Sequence, residues 1–295
     1  MPSPQWKNDQ PTTYFVPDRQ NKNELFRLAI QDQMITQAMG GVLSEQKESA
    51  SIKRVLDIGC GVGSWIIEAA QTYPGMSLVG IDISPRMIEY AQKIASSQSI
   101  NDRVTFQIMD ALRPLEFADA SFDLVNIRLG SSFMRTWDWP SLYLEMLRVL
   151  RPGGVVRIME SGVIDDTIKG AHLQMHQAFV CALFRSGHIF KQESTGLTSH
   201  LQRHLKQYGA QDVQTRNYEL AYHAGTEEGE AYYENFVHLF QALRPFIQKW
   251  GCTPEDYDGV YNQAMNEIRR KDFCATWQFV CAWGVKRASS SSTQA

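Results

Sequence analysis

The stretch VLDIGCGVGSW, Val55 to Trp65, sets Gly59, Gly61 and Gly63 at alternate positions behind an apolar run that carries Asp57. A short apolar run ending in glycine reads as a buried strand entering a tight turn, and the residues after it read as a helix. Glycine there permits the turn and removes the Cβ, so that another group can lie against the main chain. Taken alone, the three glycines also fit an ordinary turn.

The same rhythm continues outward. KRVLDIG, SLVGIDIS, RVTFQIMDA, SFDLVNIRLG and PGGVVRIMES read as strands, while SWIIEAAQTY, PRMIEYAQKIASS and WPSLYLEMLRVL read as helices, the second opened by Ser84 and Pro85. Apolar strands alternating with helices predict a parallel sheet covered on both faces. A further helix, NELFRLAIQDQMITQAM, precedes this core and stops at Gly40 and Gly41.

After Ser161 the rhythm changes. DDTIKGAHLQMHQAFVCALFRSG and GLTSHLQRHLKQYG are helical, and VQTRNYELAYH and ATWQFVCAWGVK are strands separated by two more helical stretches. The expected organisation is an arm over 1–22, one domain over 23–288 with cap segments at about 161–210 and 223–275, and a disordered tail over 289–295.

A formal charge of −3 over 295 residues gives no global attraction to nucleic acid or to an anionic membrane. MPSPQWKNDQPTTYF lacks the apolar core of a leader, and no run approaches the roughly 18 apolar residues of a membrane span. A cytoplasmic location is therefore expected. Cys60, Cys181, Cys252, Cys274 and Cys281 are odd in number and widely spaced, which predicts reduced, mostly structural thiols and no metal site.

Asp82 ends the second strand, nineteen positions after Gly63. A carboxylate there can accept both hydroxyls of a ribose, or it can cap the next helix. The glycine spacing is G-x-G-x-G and not the G-x-G-x-x-G of dinucleotide sites, and Asp57 would repel a pyrophosphate but attract an ammonium. A cationic ligand follows.

These motifs, in this order, resemble the class I S-adenosylmethionine-dependent methyltransferases: VLDIGCGVGSW their first motif, GIDIS their second, MDA at Met109 to Ala111 their third and FDLVNIRLG their fourth. LRVLRPGGVVRIME resembles the segment leading into their fifth strand. TTYFVPDRQNKNELFRLAIQDQM resembles the lead-in of a subgroup seen in fungal secondary metabolism and in related bacterial enzymes.

The resemblance implies an α/β, Rossmann-like doubly wound sheet of seven strands, the last antiparallel, with a helical cap and with S-adenosyl-L-methionine as cofactor. Gly59, Gly61 and Gly63 would line its methionine part, with Cys60, Ile83 and Met87 also at the cofactor. Asp82 would take the ribose and Asp110, with the Ala111 amide, the adenine edge. The main chain near Asn126 would close the methionine end, Tyr14 and Arg19 would fold over the cofactor, and Arg128 would meet its carboxylate. Packing of Tyr14 and solvation of Arg19 are the plain alternatives.

In such a transfer the enzyme mainly positions two reactants and excludes water. Candidates for a base are His172 and His176, four apart on one helical face, and His223 after the sixth strand, while Glu160 at the end of the fifth would orient an amine or hydroxyl. Structural or solvated histidines, and Glu160 as a helix cap, remain open readings. HLQMH lacks the glutamate of H-E-x-x-H, so metal binding is not expected.

The expected function is methyl transfer to nitrogen or oxygen of a small, partly apolar or aromatic metabolite, by a monomer or homodimer without nucleic acid or membrane partners. RNA or protein methylation would want a basic stripe, and only IRRK is present. A fold relative that binds the cofactor without methyl transfer is the other alternative. Nicotinamide chemistry is last, given Asp57 and the glycine spacing.

Overall fold

The computed structural model describes Tyr14 and residues 22–46, 49–162, 169–193 and 195–287. Arg19, most of the arm and the whole tail lie outside the described residues.

Strands and helices alternate from α1 (Lys22–Ala38) through β1 (Arg54–Ile58), α2 (Ser64–Thr72), β2 (Ser77–Asp82), α3 (Pro85–Ser97), β3 (Val104–Ile108), β4 (Phe122–Arg128), α4 (Trp139–Val149) and β5 (Leu150–Ser161). The second half adds α5 (Gly170–Arg185), α6 (Leu201–Gln207), β6 (Ala210–His223), α7 (Glu227–Lys249), α8 (Tyr257–Ile268) and β7 (Cys274–Lys286). The seven strands form one sheet in the order β3-β2-β1-β4-β5-β7-β6. β1 to β5 pair in parallel, and β7 runs antiparallel between β5 and β6. This is the expected fold.

Alternate residues of the central strands feed two apolar cores, because successive side chains point to opposite faces. Val55, Leu78 and Leu124 pack with Ile66 of α2 and Ala91 of α3. Leu56, Ile127 and Ile158 pack on the other face with Trp139, Tyr143 and Met146 of α4. Covered on both sides, β4 is buried from Phe122 to Ile127.

One polar row crosses this interior. Asp57, Asn126 and Arg157 stand opposite one another on β1, β4 and β5. Asn126 Nδ2 donates to Asp57 Oδ1 at 2.7 Å, and Arg157 Nη1 donates to Asn126 Oδ1 at 2.6 Å. Glu45, in the connection from α1 to β1, completes the row through an ion pair with Arg157 at 2.6 Å in which neither side chain is exposed. Burial alone would raise the Glu45 carboxyl, but the Arg157 guanidinium outweighs it and holds the value below the ordinary one.

Three helix starts follow local rules. Ser84 caps α3 by accepting from the Met87 N–H, Thr226 caps α7 through the Gly229 N–H, and Asp256 caps α8 through the Gly259 N–H. The start of α5 has no side-chain cap of its own. There the Glu267 carboxylate, at the far end of α8, accepts the Ala171 and His172 N–H groups at 3.1 and 2.9 Å. This contact ties two cap helices end to end.

One expectation is corrected. Cys181 of α5 and Cys252, just after α7, form a disulfide across a sequence separation of 71 residues. Their nearness arises from the packing of α5 on α7, which residue spacing does not display. Cys60, Cys274 and Cys281 are free thiols.

Removing one partner of a buried pair leaves an uncompensated charge, so Glu45→Ala should cost about 3–5 kcal/mol of unfolding free energy. Urea denaturation measures it, and a loss under about 1 kcal/mol would mean that water reaches Arg157.

Candidate active site

The glycine turn lies between β1 and α2, at the carboxyl edge of the sheet, where ligands of open parallel sheets bind. Gly59, Gly61 and Gly63 have φ of 68°, 53° and 78°, the left-handed region that side chains disfavour. Their surroundings differ. A Cβ on Gly59 would stand 2.7 Å from the Phe133 ring, and one on Gly63 would stand 2.8 Å from Ala91, but one on Gly61 would meet nothing within 4 Å. Of these three glycines, Gly61 is therefore the one at which bare main chain faces open space.

Asp82 latches this turn. Its Oδ2 accepts the Gly61 N–H at 3.1 Å and its Oδ1 accepts the Ser84 N–H at 2.8 Å, which orients a half-buried carboxylate beside the opening. Ser84, not Asp82, caps α3. Ile83, Ile108 and Leu112 are exposed at the neighbouring strand ends, Ile108 standing opposite Asp82 in register. The Asp110 carboxylate accepts the Leu112 N–H at 2.9 Å and lies 3.4 Å from Arg113, with half-buried Ala111 between them in sequence. Cys60 packs against Gly80, and Met87 is buried under the first turn of α3.

Other anticipated cofactor residues are held by the fold. Asp57 is buried in the polar row, and loss of hydration raises its carboxyl to about 7. Asn126 spends its amide on Asp57 and Arg157. The Arg128 guanidinium pairs with Asp32 and donates to Thr36, both on α1. The Tyr14 hydroxyl donates to Glu24 at 2.8 Å, and Glu24 forms a buried pair with Arg27, which in turn donates to Asn235 of α7.

The loop after β4 joins the glycine turn to Glu160, and the sequence motifs did not single it out. Leu129 adopts φ 52°, a left-handed conformation uncommon for a branched side chain, and the chain then turns through Gly130 and Ser131 to Phe133. Phe133 lies on Gly59, while Ser131 donates to Glu160 from its N–H at 3.2 Å and from its hydroxyl at 2.7 Å. Glu160 is fully buried, and desolvation raises it to about 7 against the pull of the Ser131 hydrogen bonds.

The histidines separate. His172 is buried on α5 with Nε2 2.8 Å from the Tyr232 hydroxyl, and burial lowers it to about 2, so it is neutral. His176 packs edge-on beside it. His223 is exposed at the end of β6, opposite Cys274, and its carbonyl accepts the Thr226 hydroxyl. Among the described residues no group of three or more His, Cys, Asp or Glu could hold a metal ion, and no helix is long and apolar enough to cross a membrane.

Residues 49–225, more than half of the chain, match the methyltransferase domain family. The chain is 36% identical to methyltransferase GfsG of Streptomyces halstedii over 42% of this chain and 44% of that protein. It is 35% identical to norajmaline N-methyltransferase of Rauvolfia serpentina over 43% and 42%. The matches thus span less than half the length of these relatives. The fold is shared with phosphoethanolamine N-methyltransferase 2 of Haemonchus contortus in complex with S-adenosyl-L-methionine, at TM-score 0.55 and 21% identity over 92% of this chain and 59% of that one. The chain belongs to the methyltransferase domain family, and S-adenosylmethionine is its cofactor. The open face at Gly61, the Asp82 carboxylate beside it and the apolar Ile83 and Leu112 fit that group.

A carboxyl whose folded value lies above its unfolded one contributes stability that is present below the unfolded value and lost as pH rises toward the folded value. For Glu160 that window runs from 4.5 to about 7. Glu160→Gln, which keeps the shape and removes the charge, should therefore gain in Tm relative to wild type as pH rises from 4.5 to 8. A Tm difference that does not change with pH would show that the buried carboxyl carries no such penalty.

Proposed function

We propose that this chain transfers a methyl group from S-adenosylmethionine to nitrogen or oxygen of a small, partly apolar or aromatic metabolite. The observation that carries the reading is the loop 129–133, which sets a buried, shifted carboxyl, Glu160, beside the open glycine turn. When bound, the cofactor supplies an activated sulfonium methyl, open to in-line substitution.

Asp82 would accept the ribose hydroxyls, with Ile83 and Met87 beside the base and Asp110 with Ala111 at its amino edge. The main chain at Gly59, Cys60, Gly61 and Gly63, with Asp57 and Asn126 behind it, would shape the methionine end. Tyr14, through Glu24 and Arg27, ties the arm to α1 and α7 and so would help to close the site. Arg128 would act from its place against α1.

Near-attack placement is worth about 7–11 kcal/mol, so closure by the cap segments 161–210 and 223–275 would supply much of the catalysis. Glu160, held near the operating pH, would take the proton from a hydroxyl acceptor. His172, neutral and buried, fits substrate orientation better than proton transfer, and His176 would line the same wall. The exposed His223 is the weakest of the four. The net charge of −3 supports a small acceptor over a nucleic acid.

Incubation with methyl-labelled S-adenosylmethionine and separate small-molecule, RNA and protein fractions should place label in a small molecule heavier by one methylene unit. With that acceptor in hand, Glu160→Gln should lower kcat by about 10²–10⁴ and remove a rise in rate with pH centred near 7. Label in RNA or protein would overturn the acceptor class. No label, with S-adenosylhomocysteine still bound, would favour a relative that does not transfer methyl.

A further inference from the structure

The cap gathers aromatic side chains from α5, β6, α7 and the turn before β7 into one continuous cluster. The His172 ring lies 4.6 Å from Phe236 and 5.4 Å from Phe273, and Tyr222 lies 4.4 Å from Tyr232. The strand register locates it. Glu160 stands opposite Val280 and Val280 opposite Asn217, whereas Tyr222 stands opposite Ala275. β6 and β7 thus run past the end of β5, and Tyr222 lies five residues beyond the level of Glu160, about 17 Å at roughly 3.4 Å per residue. The cluster forms a wall whose Tyr222 end lies beyond the carboxyl end of β5 and well away from Glu160.

In this wall His172 Nδ1 and the Tyr222 hydroxyl are buried without a hydrogen-bond partner among the described residues. Their side chains belong to residues 0% and 1% exposed. Folded interiors leave few such groups unsatisfied, since each one costs free energy in an apolar setting. A plain aromatic core would use phenylalanine at both positions. The other nitrogen of His172 already meets Tyr232, so Nδ1 is the ring's remaining hydrogen-bonding atom. The nearby Glu267 carboxylate is engaged with the α5 main chain.

We infer that this wall is the acceptor-recognition pocket, and that His172 and Tyr222 select an uncharged ring bearing a hydroxyl or carbonyl group. The inference rests on the methyl-transfer reading above and deepens it. An ammonium or carboxylate would lose its hydration here and find no counter-ion among the hydrogen-bonding atoms that are open. A bare hydrocarbon ring would leave both orphaned atoms unsatisfied, and sites built to hydrogen-bond a substrate group reject the analogue that lacks it. Because the pocket lies away from the reacting atoms, His172 and Tyr222 are specificity residues whose loss raises KM more than it lowers kcat.

The test uses four probes that share one ring system: 2-naphthol, naphthalene, 2-naphthoate and 2-(aminomethyl)naphthalene at pH 7. Each is titrated into the full chain, with and without S-adenosylhomocysteine, and followed by its own fluorescence. The expected result is 2-naphthol binding at least tenfold more tightly than the other three. Tyr222→Phe should erase most of that preference while its Tm equals or exceeds that of wild type, because the hydroxyl has no partner to lose. Equal binding of 2-naphthol and naphthalene, tighter binding of a charged probe, no binding of any probe, or a lower Tm for Tyr222→Phe would each overturn the inference. S-adenosylhomocysteine binding is measured separately without probe; its absence would count against methyl transfer and not against the pocket's preference.

Discussion

Arg157 places a guanidinium with no solvent exposure in the middle of the sheet, and the rest of the structure is arranged to satisfy it. Moving such a charge out of water costs several kcal/mol after relaxation, so its partners must arrive in one geometry. Glu45 meets it from the α1–β1 connection, Asn126 from β4, and Asp57 stands behind Asn126 on β1. Trp65 of α2 lies over the same guanidinium, 5.8 Å away. Slipping any of the three strands by one residue would turn its polar member to the opposite face and break the row.

The register thereby specified is what builds the site. With Ile58 opposite Ile127 and Arg128 opposite Met159, the glycine turn, the loop after β4 and Glu160 all emerge at one level of the carboxyl edge. The left-handed Leu129 then swings Phe133 over Gly59 and Ser131 onto Glu160. Strained backbone persists where surrounding contacts over-determine it, and here it links the glycine turn to Glu160. The two carboxyls raised to about 7, Asp57 and Glu160, lie on opposite faces of the sheet and differ in use. Asp57 is enclosed in the polar row, whereas Glu160 is held at the end of its strand by Ser131 and the Gly130 main chain.

Much of the first half is legible in the chain itself. Buried parallel strands read as uninterrupted apolar runs, Ser84 and Pro85 mark a helix start, and Gly59, Gly61 and Gly63 mark a tight turn. Position in sequence says less where a partner is distant. Glu267 caps α5 from almost a hundred residues away, and Cys181 meets Cys252 only because two cap helices pack. Phe133 and Ser131 sit in an irregular loop with no periodicity to read. Arg128 looks like an anion-binding residue at the end of a strand, yet α1 folds back and engages it through Asp32. Of the polar row the motifs mark only Asp57 and Asn126, and its continuation through Arg157 to Glu45 depends on strand pairing.

The central claim is that the glycine turn and Asp82 form a site for S-adenosylmethionine and not for a nicotinamide. The direct measurement is calorimetric titration of the wild-type chain and of Asp82→Ala with S-adenosylhomocysteine, each repeated in excess NADH. The account predicts binding to wild type that NADH does not displace, and at least tenfold weaker binding to a folded Asp82→Ala. Displacement by NADH, or equal affinity in the two proteins, would contradict it.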